Sequence, residues 1–269
     1  TLHLSYHLTE TSQLQLNYSR RVRRPEGDDL NPYPEYQDPF NLRAGNPNLL
    51  PQDIHSFETG YQYKKDNSSY LGGVYFRHLL HGFTDVTRYI NSTTLLTTKE
   101  NLATNDSGGI ELAATHDIGP VSVNFSSNIY YSQIDASNLG FSSKKSTTTW
   151  DAKFNGTYRL DKATLLQFNT NFTAKRLTPQ GYRYPTYIAN LGLKHDFSNK
   201  KVSVVLTVAD LFNSLKERNV IDTPGLHDDT TRRRSSRILY VSFIYNLGKT
   251  GKKPKDDSMQ FDSGTDSKG

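Results

Sequence analysis

Residues Thr148–Lys175 read T-T-W-D-A-K-F-N-G-T-Y-R-L-D-K-A-T-L-L-Q-F-N-T-N-F-T-A-K. In the first arm Trp150, Ala152, Phe154, Gly156, Tyr158 and Leu160 share one parity, and Asp151, Lys153, Asn155, Thr157 and Arg159 the other. A strand sends successive side chains to opposite faces, so this arm is a strand with an apolar and a polar face. The second arm repeats the pattern, with Leu166, Phe168, Thr170, Phe172 and Ala174 against Gln167, Asn169, Asn171 and Lys175. Only a short polar turn around Asp161 and Lys162 separates them, which predicts an antiparallel hairpin.

A soluble sandwich also alternates in this way. Its strands are short, however, about 5–6 residues. Each arm here runs for about a dozen, and a tilted strand needs about 9–11 to cross a bilayer. Long strands that alternate between an apolar and a polar face describe an outer-membrane barrel.

Working outward, the same pattern recurs. Strands are predicted at Leu2–Leu8, Gln13–Val22, Ser56–Tyr63, Ser69–Phe83, Gly108–His116, Val121–Ile134, Thr186–Phe197, Val202–Phe212 and Ser236–Leu247. The face of Ser69–Phe83 is ambiguous, because Tyr70, Val74, Phe76 and Leu80 compete with Leu71, Tyr75 and Leu79. Short turns fall near 9–12, 64–68, 117–120, 161–162 and 198–201. Long connections fall near 23–53, 84–107, 135–146, 177–185 and 213–235. The first holds six of the chain's 11 prolines, which break strands and mark loops. Short and long connections alternate, so all the short ones lie at one end of the wall, as in barrels with short periplasmic turns and long extracellular loops.

The expected fold is therefore all-β, an antiparallel transmembrane β-barrel of which this chain supplies about eleven strands. Bacterial barrels generally have an even strand number. The chain also opens on an alternating strand at Thr1 with no signal peptide. Both features lead us to expect the C-terminal part of a longer protein. Residues 1–247 are expected to form the barrel part. Residues 248–269, rich in Lys, Asp, Ser and Gly without apolar periodicity, are expected to form a disordered tail.

Composition bounds the function. Aromatics are 12% of the 269 residues, with 17 Tyr and 13 Phe, the types that build interfacial girdles. Mean hydropathy is −0.69, and no stretch approaches the ~20 apolar residues of a membrane helix. There are no cysteines. The net charge of +5 is scattered rather than clustered on a nucleic-acid motif, so no nucleic acid partner is expected. No dinucleotide fingerprint, phosphate loop, zinc-protease motif or nucleophile elbow occurs, so neither an enzyme nor a cofactor is expected.

The proline-rich stretch carries a resemblance. Tyr18-Ser19-Arg20-Arg21-Val22-Arg23-Arg24-Pro25 leads to Leu30-Asn31-Pro32, Asp38-Pro39 and Gly45-Asn46-Pro47-Asn48-Leu49-Leu50-Pro51, followed by Phe57-Glu58-Thr59-Gly60-Tyr61. This resembles the TonB-dependent receptor barrels, and most closely the outer-membrane β-barrel family common in Bacteroidetes. Gln52 stands where that family usually has Glu. The resemblance extends to about Leu247. It implies a barrel of about 22 strands with an internal N-terminal plug, placed in the outer membrane of a Gram-negative cell. It also implies an energy supply from the TonB complex through the plug, and uptake of a scarce nutrient from outside. Implied partners are outer-membrane lipid and lipopolysaccharide, the plug and other barrel half of the same chain, and a nutrient ligand. The alternatives are a non-transporting outer-membrane barrel, serving adhesion or assembly, and a soluble β-rich binding module.

An outer vestibule needs polar and aromatic contacts, which nominates Tyr33, Tyr36, Phe40, Arg232, Arg233 and Arg234 as ligand-binding, with Arg237 beside them. Arginine clusters hold anions in bidentate fashion. The competing readings are loop packing for the aromatics, and pairing with Asp228, Asp229 or lipopolysaccharide phosphates for the arginines. Lys153, Arg159, Asn169, Asn171 and Lys175 are expected to face the lumen, as a solute path or as contacts to plug and water. Arg20, Arg21, Arg23 and Arg24 are expected to end the lipid-facing band. No metal site is expected: His78 and His81 fall on opposite faces of a strand, and His227-Asp228-Asp229 is a weak donor set.

Overall fold

A computed structural model describes residues 1–141, 144–197 and 201–247. The expected tail at 248–269 and most of the turn at 198–201 lie outside them. The chain begins with β1 (Leu2–Thr9) and β2 (Ser12–Arg23). The first long connection holds a short helix, α1 (Gly27–Leu30), and two strands, β3 (Glu35–Asp38) and β4 (Asn41–Ala44). The wall resumes with β5 (Gln52–Lys65) and β6 (Ser68–Leu80). The next connection is itself a hairpin, β7 (Phe83–Tyr89) and β8 (Leu95–Asn101). Four wall strands follow: β9 (Thr104–Ile118), β10 (Val121–Asp135), β11 (Lys145–Arg159) and β12 (Thr164–Thr173). The short strands β13 (Arg176–Thr178) and β14 (Gly181–Arg183) precede β15 (Thr186–Phe197) and β16 (Val202–Ala209). The last loop hairpin, β17 (Lys216–Thr223) and β18 (Leu226–Arg233), leads to β19 (Ile238–Tyr245).

The wall is one sheet of 11 strands in strict chain order, β1-β2-β5-β6-β9-β10-β11-β12-β15-β16-β19. Each neighbouring pair is antiparallel. Sequential pairing follows from the short turns, which leave each strand only its chain neighbours within reach.

Register converts sequence parity into two surfaces. Leu4, Leu16, Thr59, Val74, Ile110, Ile129 and Trp150 succeed one another across seven strands as direct partners. All of them but Thr59 are large apolar side chains 45–52% exposed. An apolar row of that length left open belongs against lipid rather than water. The parallel row on the other face runs Gly60, Gly73, Glu111, Asn128, Asp151 and Thr173, and is polar. The ambiguity of β6 is settled by pairing. Tyr70, Val74 and Phe76 oppose Tyr63, Thr59 and Phe57 on the apolar face. Tyr75 is buried on the polar face, where its hydroxyl bonds Asn128 Oδ1 at 3.2 Å.

The expected long loops are the main departure. They fold into two small sheets over the extracellular end, β3-β4-β8-β7 and β13-β14-β17-β18. The extra strand residues expected at 210–212 are not strand. Asp210 turns the chain there with φ 43°, and its carboxylate is occupied by the loop.

Candidate ligand-facing mouth

The mouth is built on backbone accounting. In the Gly-Asn-Pro stretch, Gly45 N–H donates to Asn31 O at 2.6 Å and Asn46 N–H to Asp29 O at 2.7 Å. A Cβ on Gly45 would stand 2.6 Å from Asn31 N and from two carbonyls of α1, so only glycine fits. Asn46 Nδ2 reaches Lys99 O in β8 at 3.1 Å, and its Oδ1 accepts from Asn48 N–H. Lys99 Nζ meets Asp29 at 2.6 Å. Burial raises the Asp29 pKa, but the Lys99 and Glu26 hydrogen bonds outweigh it and hold the carboxyl below its usual range. These contacts bring β4 beside β8 as a parallel pair.

The second loop sheet is tied to the wall by one carboxylate. Asp210 is fully buried. Its Oδ1 accepts from Ser214 N–H at 2.9 Å and Ser214 Oγ at 3.0 Å, and its Oδ2 accepts from Leu215 N–H at 3.0 Å and from Ser236 Oγ. Both roots of the β17–β18 hairpin therefore end on the same side chain. Burial pushes the Asp210 carboxyl up, but the bonds from Ser236, Leu215 and Ser214 prevail and lower it. Asp210 N–H continues into the wall through Asn190 Oδ1 at 2.9 Å. Asn190 donates to Asn169, and Asn169 to Asn155, a row of amides across β15, β12 and β11.

The nominated residues distribute as follows. Tyr33, Tyr36 and Phe40 are 60–78% exposed around β3 and β4. Arg232 and Arg233 end β18, and Arg234 follows it. The two sets lie on different loop sheets and are not joined into one constellation. Asp229 is taken by Arg218, at 2.5 and 2.8 Å, which lowers the Asp229 carboxyl below its usual range. Asp228 accepts from Thr230 at 2.6 Å. The arginines at 232–234 thus do not pair with Asp228 or Asp229.

Among the expected lumen residues, Lys153 opposes Asn171 and Ser126 on the polar face, and Asn169 sits inside the amide row. Arg159 ends β11 at the short-turn side, opposite Leu165. Lys175 lies past the end of β12. Its ammonium rests 3.9 Å from the Tyr182 ring and 5.2 Å from the Tyr184 ring, with the Arg218 guanidinium over Tyr184 at 4.4 Å. It belongs to the mouth rather than to the strand.

Arg20 lies on the apolar face and clasps Asp53 through two guanidinium nitrogens, at the rim where the lipid-facing row ends. Beside it Tyr18 Oη meets His55 at 2.9 Å. His78 pairs with Asp106, not with His81. His227 meets Asp222 at 3.3 Å. Among the described residues no cluster of three or more His, Cys, Asp or Glu could hold a metal.

Sequence reasoning missed Gln180 and Asp210. Gln180 is buried among the loops, and both ends of its amide bond the backbone of Thr87 at 2.8 Å. Neither residue sits in a recognisable motif. A lone aspartate after an apolar strand is the only local signal.

The family model described as "Outer membrane protein beta-barrel family" matches residues 1–245. No curated protein matches the chain. Among solved structures, the siderophore receptor PirA from Pseudomonas aeruginosa is similar at 15% identity and a TM-score of 0.58, covering 89% of this chain and 40% of its own. The copper transporter OprC is similar at 13% identity and a TM-score of 0.60, covering 89% and 37%. The ferric-catecholate import receptor Fiu from E. coli K12 is similar at 15% and 0.57, covering 89% and 33%. The likeness is one of fold, and the chain spans 33–40% of the length of these structures.

Proposed function

The chain belongs to the outer membrane protein β-barrel family, and on that premise we propose that it is the C-terminal part of a TonB-dependent receptor barrel. In this reading the receptor captures a scarce nutrient outside the cell and passes it to the periplasm. The observation that carries the reading is the mouth itself. Two loop sheets stand over a wall whose inner face is lined with Glu58, Arg77, Glu111, Asn128, Asp151 and Lys153. A polar lined passage under an ordered roof suits selective capture followed by release inward. Arg77, 4.5 Å over the Tyr75 ring and 3.3 and 3.6 Å from Glu58 and Glu111, is the sort of lumenal charge that a plug or a polar solute meets.

The test is uptake. Cells lacking the gene are compared with wild type for labelled ferric chelates, cobalamin, oligosaccharides and peptides. Loss of one class of nutrient, with the same loss when TonB is deleted, is expected. Uptake that survives TonB deletion would sink the transporter reading in favour of a non-transporting barrel.

A further inference from the structure

We propose that the asparagine row on the lumen face of β11, β12 and β15 is a hydrogen-bond relay that couples the lumen to the root of the β17–β18 loop at Asp210. Its lumenal end is the free amide of Asn155, which takes an acceptor oxygen of the passing solute, and filling it tightens the loop. This regulation belongs to the receptor reading above and rests on it.

Register builds the row. Asn155 opposes Asn169, and Asn169 opposes Asn190, as direct cross-strand partners on the polar face. Such partners stand about 4.5–5.5 Å apart at Cβ, a gap that amide side chains bridge. Asn155 lies toward the short-turn end of β11, whereas Asp210 directly follows β16 at its extracellular end. Three strand spacings of about 4.8 Å separate the two, roughly 14 Å in all.

The polarity of the row is fixed by its upper end. A backbone N–H can only donate. Asp210 N–H meets Asn190 Oδ1 at 2.9 Å, so Asn190 turns its oxygen there and its Nδ2 to Asn169 Oδ1, at 3.1 Å. Asn169 in turn presents Nδ2 to Asn155 Oδ1. All three bonds therefore point the same way. Each amide in such a chain accepts better when it also donates, so the bonds strengthen one another.

The upper end governs the loop. Asp210 and Asn190 are both buried, so losing their bond leaves a buried N–H unpaired. Asp210 also holds φ at 43°, a conformation that few non-glycine residues adopt. Its carboxylate gathers Ser214, Leu215 and Ser236, and its carbonyl accepts from Asn213 N–H at 2.8 Å. The setting of this one residue is the setting of the loop root.

The lower end is open. Asn155 uses only its oxygen, and among the described residues its Nδ2 has no partner. The next residue in register, Asn124, accepts instead from the Thr115 hydroxyl at 2.8 Å. The relay thus ends on two unused N–H donors at the half-buried Asn155, on the face that lines the lumen. Their match is a carbonyl, carboxylate or hydroxyl oxygen.

The experiment is hydrogen-exchange mass spectrometry on the full protein, purified from outer membranes in detergent with no solute added, reading the amides of residues 211–215. Asn169→Ala cuts the relay away from the loop and should speed their exchange about fivefold, the worth of one hydrogen bond. Asn171→Ala, on the same strand and face but outside the row, should leave it unchanged. Asn124→Asp sets a carboxylate opposite the free Asn155 amide and should slow the exchange at least about twofold. That slowing should vanish when Asn169 is also Ala, and Asn171→Asp, the same charge on the same face, should not produce it. Asn155→Asp keeps the oxygen that Asn169 uses and removes the donors, so exchange as in wild type is expected. Heat-modifiable gel mobility and protected β9 and β10 amides check that each variant is folded. Unchanged exchange in Asn169→Ala overturns the relay. No slowing in Asn124→Asp, or slowing that survives Asn169→Ala or is matched by Asn171→Asp, overturns the coupling. Faster exchange in Asn155→Asp shows that the protein's own chain fills the amide and overturns the solute as its source. Uptake that survives TonB deletion would remove the receptor reading and leave each of these results standing.

Discussion

Gln180 holds the backbone of Thr87 at both ends: Thr87 N–H donates to Oε1 at 2.8 Å, and Nε2 donates to Thr87 O at 2.8 Å. Thr87 lies in β7 and Gln180 between β13 and β14, so one amide side chain fastens one loop sheet to the other. Close by, Leu102, Ile134 and Ala136 form a small apolar cluster with Leu139 and Phe141 from the β10–β11 connection and Leu177 from β13. The mouth is thus a single packed body rather than a set of separate loops.

Replacing Gln180 by Ala leaves the half-buried N–H and C=O of Thr87 without these partners, at a cost of about 1 kcal/mol or more. The Thr87 amide should then exchange its hydrogen faster by tenfold or more, while the wall amides of β9 and β10 stay protected. Hydrogen-exchange mass spectrometry reads both at once. Unchanged exchange at Thr87 would show that the clasp contributes nothing.

Asp210 predicts an acid response. Its folded pKa lies below its unfolded value, so its contribution is fully present above about pH 4 and is lost as pH falls through the lowered folded value. Protease resistance of residues 211–237 should be flat from neutral pH to about pH 5 and fall only in stronger acid. Asp210→Ala should show the loosened loop already at neutral pH. A variant as resistant as wild type would remove Asp210 from the clamp.

Adjacent residues on β10 should respond in opposite ways. Ile129 lies on the apolar face and Asn128 on the polar one. Ile129→Arg places a charge against lipid and should cost about 2–4 kcal/mol if near the bilayer midplane. Asn128→Arg should cost far less. Urea titration of the protein in lipid vesicles compares the two, and equal losses would contradict the assignment of faces.

Glycine at 109 is required by close approach. A Cβ there would stand 2.6 Å from Tyr130 Cβ and nearer still to Ile129 O, whereas one at Gly72 meets nothing nearer than Leu112 at 3.8 Å. Gly109→Ala should lower the temperature of the heat-modifiable transition by an overpacking cost of about 1–3 kcal/mol. Gly72→Ala should leave it nearly unchanged.

The wall was legible because its information is local. Period-2 alternation marked Leu14, Leu16 and Tyr18, then Phe57, Thr59 and Tyr61, then Phe125 and Ile129 as one surface, and pairing places them so. Short turns fixed the order of strands, since a strand joined by two residues has only one neighbour to find. Where both parities were apolar, in Leu71, Tyr75 and Leu79 against Tyr70, Val74 and Phe76, local pattern failed and only partner strands decided.

The amino-acid sequence by itself determined a two-faced antiparallel wall, its strand order and the end that carries the long connections, because alternation and turn length act between residues close in the chain. Tertiary structure alone decided that those connections fold into two sheets. It also decided that Gln180 meets Thr87, that Asp210 gathers Ser214, Leu215 and Ser236, and that Asp229 is spent on Arg218 and so leaves the neighbouring arginines open. Each of these depends on donors and acceptors that meet only when separate parts of the chain are brought together, so no periodicity records them. The hairpin at Thr148–Lys175 announces a membrane wall, and the contacts above it decide what that wall presents to the outside.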